Sequence, residues 1–343
     1  MRIGILTGGG DAPGLNGIIE SATRSLLNQG HQVIGIQDGF EGIFDARYKN
    51  LTYQDVLDIH GKPGTILGTS NRCGTTGREQ EFLAKYNKIC LDGLIAAGGD
   101  GTFLGLAQFK NDINLIGVPK TIDNDLSGTD ITFGYDTACK VVAEAVDSLQ
   151  YTASAHRRII FVETMGRTAG WIALGGGMAS YADAILVPER PYDPQKLLNI
   201  IKRKKADGQR GIVCVVAEGA HAQGEQAHVA FKVAGSPEPQ RLGGIAEHLA
   251  RWVEQEIGEE ARHVVLGHLQ RSAPPSSTDR FLTLAMGVQV AQLVEQEKWG
   301  YAASYINGRV EAVPITDFMQ GAHLIDQDHR WIKICQQVGI FVS

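Results

Sequence analysis

The stretch Pro119-Lys120-Thr121-Ile122-Asp123-Asn124-Asp125 sets two carboxylates two residues apart, with a lysine three residues before the first. It follows an apolar run, 113–118, that reads as a buried strand. In an extended strand end Asp123 and Asp125 would face the same side. One carboxylate could then take a proton from a hydroxyl while the other holds the geometry or a metal. Lys120 offers phosphate a point charge. A structural Asx-turn cluster explains Asn124 and one aspartate, but not the whole set.

Three further loops carry chemistry at strand ends, where open parallel sheets bind ligands. Residues 7–16 include Gly8, Gly9 and Gly10, which let backbone approach an anion at the start of a helix. Leu15 replaces the lysine of a phosphate-binding Walker loop, and Pro13 breaks a dinucleotide fingerprint. A tight turn without ligand is the bland alternative. Gly98-Gly99-Asp100-Gly101-Thr102 surrounds one carboxylate with small residues, which suits Mg²⁺ bridging phosphate oxygens and equally suits Asp100 as a helix N-cap. Met165-Gly166-Arg167 presents a cation beside a glycine, placed to neutralise charge on a transferring phosphoryl group or to form a surface ion pair. In segment 261–271, which also holds Arg262, His268 with Arg271 three residues later forms a weaker phosphate-grip pattern. Residues 202–205 read as exposed cations closing a helix. No zinc spacing and no acyl-transfer elbow occurs.

These loops need elements to hold them. Continuous apolar runs predict strands at 2–7, 32–36, 93–97, 113–118, 158–163, 184–188, 212–217 and 263–267. Helical patterns cover 15–28, 102–109, 137–150, 194–206, 243–257 and 279–297, and 221–240 reads as a long surface loop. Alternation of the two implies βαβ units and parallel sheets. The expected fold is α/β, with two doubly wound, Rossmann-like domains. At 343 residues the chain is too long for one small core. Its net charge of −6 argues against nucleic acid or an anionic membrane as partner. Five scattered cysteines imply reduced thiols. No run is long enough to span a bilayer, and the opening strand leaves no room for a signal peptide, so a cytoplasmic protein is expected.

In combination, GGGDAPGLN, GGDGT, PKTIDND, MGR and GHLQR, in that order from residue 7 to 271, resemble the motifs of the 6-phosphofructokinase family. The resemblance implies a kinase of glycolysis that transfers the γ-phosphoryl of ATP, with Mg²⁺, to the 1-hydroxyl of fructose 6-phosphate. It implies Asp123 as general base supported by Asp125 and Thr121, with Arg167 and Lys120 on the transferring phosphoryl and donor. Gly9, Arg72, Asp100, Gly101 and Thr102 would meet the nucleotide, with Asp100 also handling the metal. Met165, Gly166, Glu218, His268 and Arg271 would bind the sugar phosphate. Arg158 and Arg262 would reach the 6-phosphate across a subunit interface, which implies a homo-oligomer, dimer or tetramer. By the same analogy the domains interleave, as 1–136 plus 270–315 for the donor and 137–269 plus 316–343 for the sugar phosphate.

The resemblance also bears on the donor. Aspartate at the position of Gly101 with lysine at that of Lys120 marks pyrophosphate users in this family, and glycine at both marks the common bacterial ATP enzymes. The mixed pair here is read as ATP-using, with ADP or pyrophosphate as alternatives. Ser272-Ala273-Pro274-Pro275 departs from the family's glycine-rich continuation. Asn71 stands where an arginine is expected, and Arg72 follows it. Glu20 and Arg24 occupy two effector-site positions, which puts the familiar nucleotide regulation in doubt. Two other classes remain: a dinucleotide-binding oxidoreductase using Asp38, and a non-catalytic sensing paralogue.

Overall fold

Runs such as Ile159–Thr164 and Ile212–Ala217 are buried at every residue, which requires cover on both faces and accounts for their lack of alternation. The computed structural model describes residues 1–70, 74–232 and 240–343. In chain order its strands are β1 (Arg2–Thr7), β2 (Gln32–Ile36), β3 (Tyr48–Leu51), β4 (Gly93–Gly98), β5 (Leu115–Thr121), β6 (Phe133–Gly134), β7 (Ile159–Thr164) and β8 (Ala184–Leu186). There follow β9 (Ile212–Ala217), β10 (Val229–Lys232), β11 (Gln240–Leu242), β12 (Ala261–Val265), β13 (Tyr301–Ile306), β14 (Arg309–Pro314) and β15 (Phe341–Val342).

The chain forms two compact units. The first comprises 1–122, 126–137 and 271–322. Its sheet runs β14-β13-β5-β4-β1-β2-β3, with β6 beside the end of β5. The interior strands are parallel, and both edges are antiparallel, β2 with β3 and β13 with β14. One face is covered by helices Leu15–Asn28 and Ser277–Glu295, through residues such as Ile18, Leu26, Met286 and Val290. These helices approach closely because they meet at glycines. A Cβ on Gly17 would lie 2.5 Å from Thr283 Oγ1, and one on Gly287 2.0 Å from Ser21 Oγ. The other face is an aromatic cluster including Phe40, Phe82, Phe103 and Phe318.

The second unit comprises 123–125, 138–270 and 323–343. Its sheet, β12-β7-β9-β8-β15, is parallel throughout. Helices Pro194–Ala206 and Ile245–Ile257 contribute Leu197, Ile201, Leu249 and Val253 to its core. Both units are α/β, and helix Tyr135–His156 continues from one into the other.

All eight strands and six helices expected from the sequence are present, five of them with the expected bounds and the rest with shifted ends. Several expectations are corrected. The sheets are not purely parallel, because the first unit closes its edges with antiparallel strands. Residues 316–322 were expected with the second segment set, yet they pack in the first unit, where the Phe318 ring stacks on Phe103 at 4.6 Å. The 221–240 loop contains β10 and leads into β11, and these two pair antiparallel. The cations at 202–205 are not all exposed. Lys204 pairs with Asp183 at 2.9 Å, and Lys205 with Glu259. Helices Glu79–Ile89, Trp171–Ala179 and Arg330–Gln337 lay outside the expectation.

Candidate active site

In the first unit, β5, β4 and β1 are neighbours, so their carboxyl ends bring three of the loops to one edge. The chain steps from β1 to β2 on one side and returns to β4 on the other. That reversal is the switch point at which such sheets bind ligands. Gly9 has φ +76 and its N–H donates to Ser70 O at 3.2 Å. A Cβ on Gly8 or Gly98 would lie 2.7 or 2.2 Å from the Thr102 hydroxyl oxygen. Those two glycines thus serve the close approach of helix to strand. Gly101 differs, since a Cβ there would meet nothing within 4 Å.

Asp100 is exposed at the start of helix Asp100–Ala107, and its carboxylate accepts from the Gly101 N–H at 2.7 Å. Lys120 is buried, and its ammonium donates to the carbonyl of Gly10, which lends positive charge to the first glycine loop. Thr121 ends β5, and its carbonyl accepts from the Thr132 hydroxyl at 2.7 Å. Arg271 donates to Asp11 O at 3.0 Å and so belongs with this loop. Arg72 and Asn71 lie outside the described residues.

In the second unit, β12, β7 and β9 are adjacent, and their ends bring together Met165-Gly166-Arg167, Glu218 and His268. Gly166 has φ +136, and its carbonyl accepts from Ala169 N at 2.9 Å to close a tight turn. The Glu218 carboxylate accepts from the Arg167 N–H at 2.9 Å. Burial raises the Glu218 pKa, the Arg167 N–H opposes the shift, and the charge of Glu163 adds to it. His268 is exposed.

Asp123 is buried and Asp125 half-buried. The same-side expectation for them fails, because β5 ends at Thr121 and Asn124 adopts φ +53. A left-handed residue between the aspartates replaces the extended geometry with a turn. Arg158 and Arg262 come together elsewhere. Arg158 Nε donates to Glu260 at 2.6 Å, and Arg262 pairs with the same carboxylate. Arg158 immediately precedes β7 and Arg262 is second in β12, at the end of the sheet opposite to Met165.

Two side chains that hold these elements, Gln270 and Glu163, escaped sequence reasoning, and a third, Glu20, was read only as an effector-site position. Gln270 is fully buried, and its side-chain oxygen accepts from Met165 N at 3.3 Å, which steadies the Met165–Arg167 loop. Glu163 caps helix Ile245–Ile257, accepting from Gly244 N and Ala246 N at 3.1 and 3.0 Å. Glu20 accepts from the backbone of Ile59 and His60 at 3.0 and 2.8 Å and from Arg24 at 3.0 Å. Burial alone would raise its pKa, but the hydrogen bonds from His60 and Arg24 outweigh burial and lower it. Only Gln270 sat inside a motif. Asp38, the candidate ribose acid, is held by Arg47 instead.

A family profile described as phosphofructokinase matches residues 2–294. The chain belongs to the phosphofructokinase family. It is 38% identical over 356 residues to the ATP-dependent 6-phosphofructokinase 2 of Clostridium perfringens, covering 99% of this chain and 97% of that protein. It is 40% identical over 333 residues to the ATP-dependent 6-phosphofructokinase 2 of Streptomyces coelicolor, covering 96% and 97%. The solved phosphofructokinase from Saccharomyces cerevisiae superposes with a TM-score of 0.81 at 26% identity over 93% of this chain. This chain spans 45% of that longer one. Among the described residues no helix is long and apolar enough to cross a membrane.

Proposed function

We infer that this phosphofructokinase is an ATP-dependent 6-phosphofructokinase, transferring the γ-phosphoryl of ATP to the 1-hydroxyl of fructose 6-phosphate in glycolysis. The observation that carries it is the open space at Gly101 beside a helix N-terminus, where a nucleotide's phosphates find room at the positive end of the helix dipole. Gly9, Gly101 and Thr102 are assigned to the donor, with Lys120 supplying positive charge. Asp100 fits Mg²⁺, since an exposed lone carboxylate with open space beside it matches an ion that keeps waters and phosphate oxygens as its other ligands. Bound there, Mg²⁺ supplies neutralising charge to the phosphates.

On the acceptor side Met165, Gly166, Glu218 and His268 orient the sugar phosphate, and Arg271 is assigned to its phosphate. The 1-hydroxyl oxygen forms the new P–O bond as the bond from the γ-phosphorus to the β-bridging oxygen breaks. The hydroxyl proton passes to Asp123, whose turn is completed by Asp125 and Thr121. Arg167 meets the charge on the phosphoryl in flight. Asp123→Asn should lower kcat by roughly 10²–10⁴-fold with little change in KM for fructose 6-phosphate. Near-normal turnover would remove Asp123 from the role.

Arg158 stands a full β7 strand away from Met165, about 20 Å for six residues at about 3.3 Å each. The reading that follows is that Arg158 and Arg262 serve the 6-phosphate in a second copy of the chain, making a homo-oligomer. Sedimentation should show a dimer or tetramer, and a fully active monomer would end that assignment. The deciding assay couples fructose 1,6-bisphosphate formation to a dehydrogenase with ATP, ADP and pyrophosphate offered separately. Turnover with ATP alone is expected. Turnover with another donor would overturn the donor, and silence with all three the function.

A further inference from the structure

His323 makes two contacts to the turn that carries the proposed base, from almost two hundred residues away. Its backbone N–H donates to Asp125 O at 2.8 Å, and its Nδ1 lies 3.2 Å from Asn124 O. A carbonyl can only accept, so Nδ1 carries the proton in this contact. Asn124 is the left-handed residue between the two aspartates, a conformation that costs asparagine less than other side chains but turns the chain sharply. His323 thus gives successive carbonyls of that turn fixed partners.

His323 is itself held firmly. Its ring packs on Trp171 with centroids 4.8 Å apart, and Trp171 Nε1–H donates to His323 O at 2.8 Å. The Glu189 carboxylate accepts from Ile325 N at 3.1 Å and from Gly170 N at 3.0 Å. Trp171 opens the helix that follows Met165-Gly166-Arg167. One imidazole therefore joins the turn bearing Asp123 to the helix that follows the Arg167 loop.

We propose that His323 is a positioning residue for phosphoryl transfer, using Nδ1–H on the Asn124 carbonyl and its ring on Trp171 to hold the Asp123–Asp125 turn in register with the Arg167 loop. The proposal rests on the kinase reading above. His323 touches no reacting atom and acts through Asn124, so its removal affects the chemical step more than substrate binding.

The test uses the full chain and two variants that separate donor from ring. His323→Phe keeps an aromatic ring against Trp171 and loses the donor. His323→Asn places an amide N–H near the position of Nδ1 and loses the ring. His323→Phe should lower kcat about tenfold, with KM for both substrates within about twofold. Backbone hydrogen exchange over 122–126 should quicken while the melting temperature holds. His323→Asn should recover most of the turnover and the protection. Wild-type kcat and exchange in His323→Phe would overturn the proposal, as would an Asn variant as impaired as the Phe variant. Hydrogen exchange needs no turnover, so a wild type silent with every donor would sink the kinase reading while exchange over 122–126 still decides the role of His323.

Discussion

Replacing Gly166 by alanine probes how tightly the acceptor loop is built. A Cβ on Gly166 would lie 2.4 Å from Ala169 O, a backbone atom in the same turn. Close C–H···O contacts sit near 3.3 Å, so the turn must open by about 0.9 Å. Ala169 N donates to Gly166 O at 2.9 Å, and Arg167 N to Glu218 at 2.9 Å, so the opening displaces Met165 and Arg167 together. A misplacement of about 1 Å costs about 10²-fold in rate, equivalent to about 2.7 kcal/mol of barrier. The φ of +136 at Gly166 adds a conformational cost of about 1–3 kcal/mol to folding. Gly208 is the control, with φ +89 and nothing within 4 Å of its Cβ position. Gly208→Ala should lower the melting temperature and leave kinetics untouched. The assay is kcat/KM for fructose 6-phosphate under saturating ATP, alongside thermal unfolding of both variants. Wild-type kcat/KM in Gly166→Ala would refute the reasoning, and so would an equal kinetic loss in Gly208→Ala.

Gly101→Asp fills the open space with a carboxylate and should lower kcat/KM with ATP by about 10²-fold or more, about 2.7 kcal/mol. With Lys120 in place, pyrophosphate turnover should rise, and unaltered ATP kinetics would show that this space is not the donor's. Asp279 offers a pH test. It is fully buried, and its carboxylate accepts from Gly134 N at 2.8 Å, from Thr137 N at 2.9 Å and from the Thr137 hydroxyl. Burial nonetheless pushes its pKa from 3.8 up to about 6. The folded protein therefore holds this proton more tightly than the unfolded chain. The stabilisation is complete below about pH 4 and lost as pH rises through about 6, roughly 3 kcal/mol in all. The stability of the wild type relative to Asp279→Asn should fall across that window, and a rise with pH would mean that the three hydrogen bonds outweigh burial.

The sequence alone determined the strands that are covered on both faces and the loops that leave their carboxyl ends. Burial on two sides forces an uninterrupted apolar run, and glycines beside such a run mark the close approach of a helix or an anion. Lys120, Asp100, Gly166 and Arg167 were legible on those grounds, as was the order of the loops. Only the tertiary structure decided the rest. Edge strands such as β3 are mostly exposed, so nothing in their composition forced a strand reading. The left-handed Asn124 was hidden because spacing by two reports an extended chain, whereas the chain turns after Thr121. Gln270 against Met165, Glu260 between two arginines, and His323 against Asn124 are contacts that no local period encodes. The first two lie within the single segment 138–270, where β12 pairs beside β7, whereas His323 meets Asn124 because the second unit is assembled from separate segments that include 123–125 and 323–343.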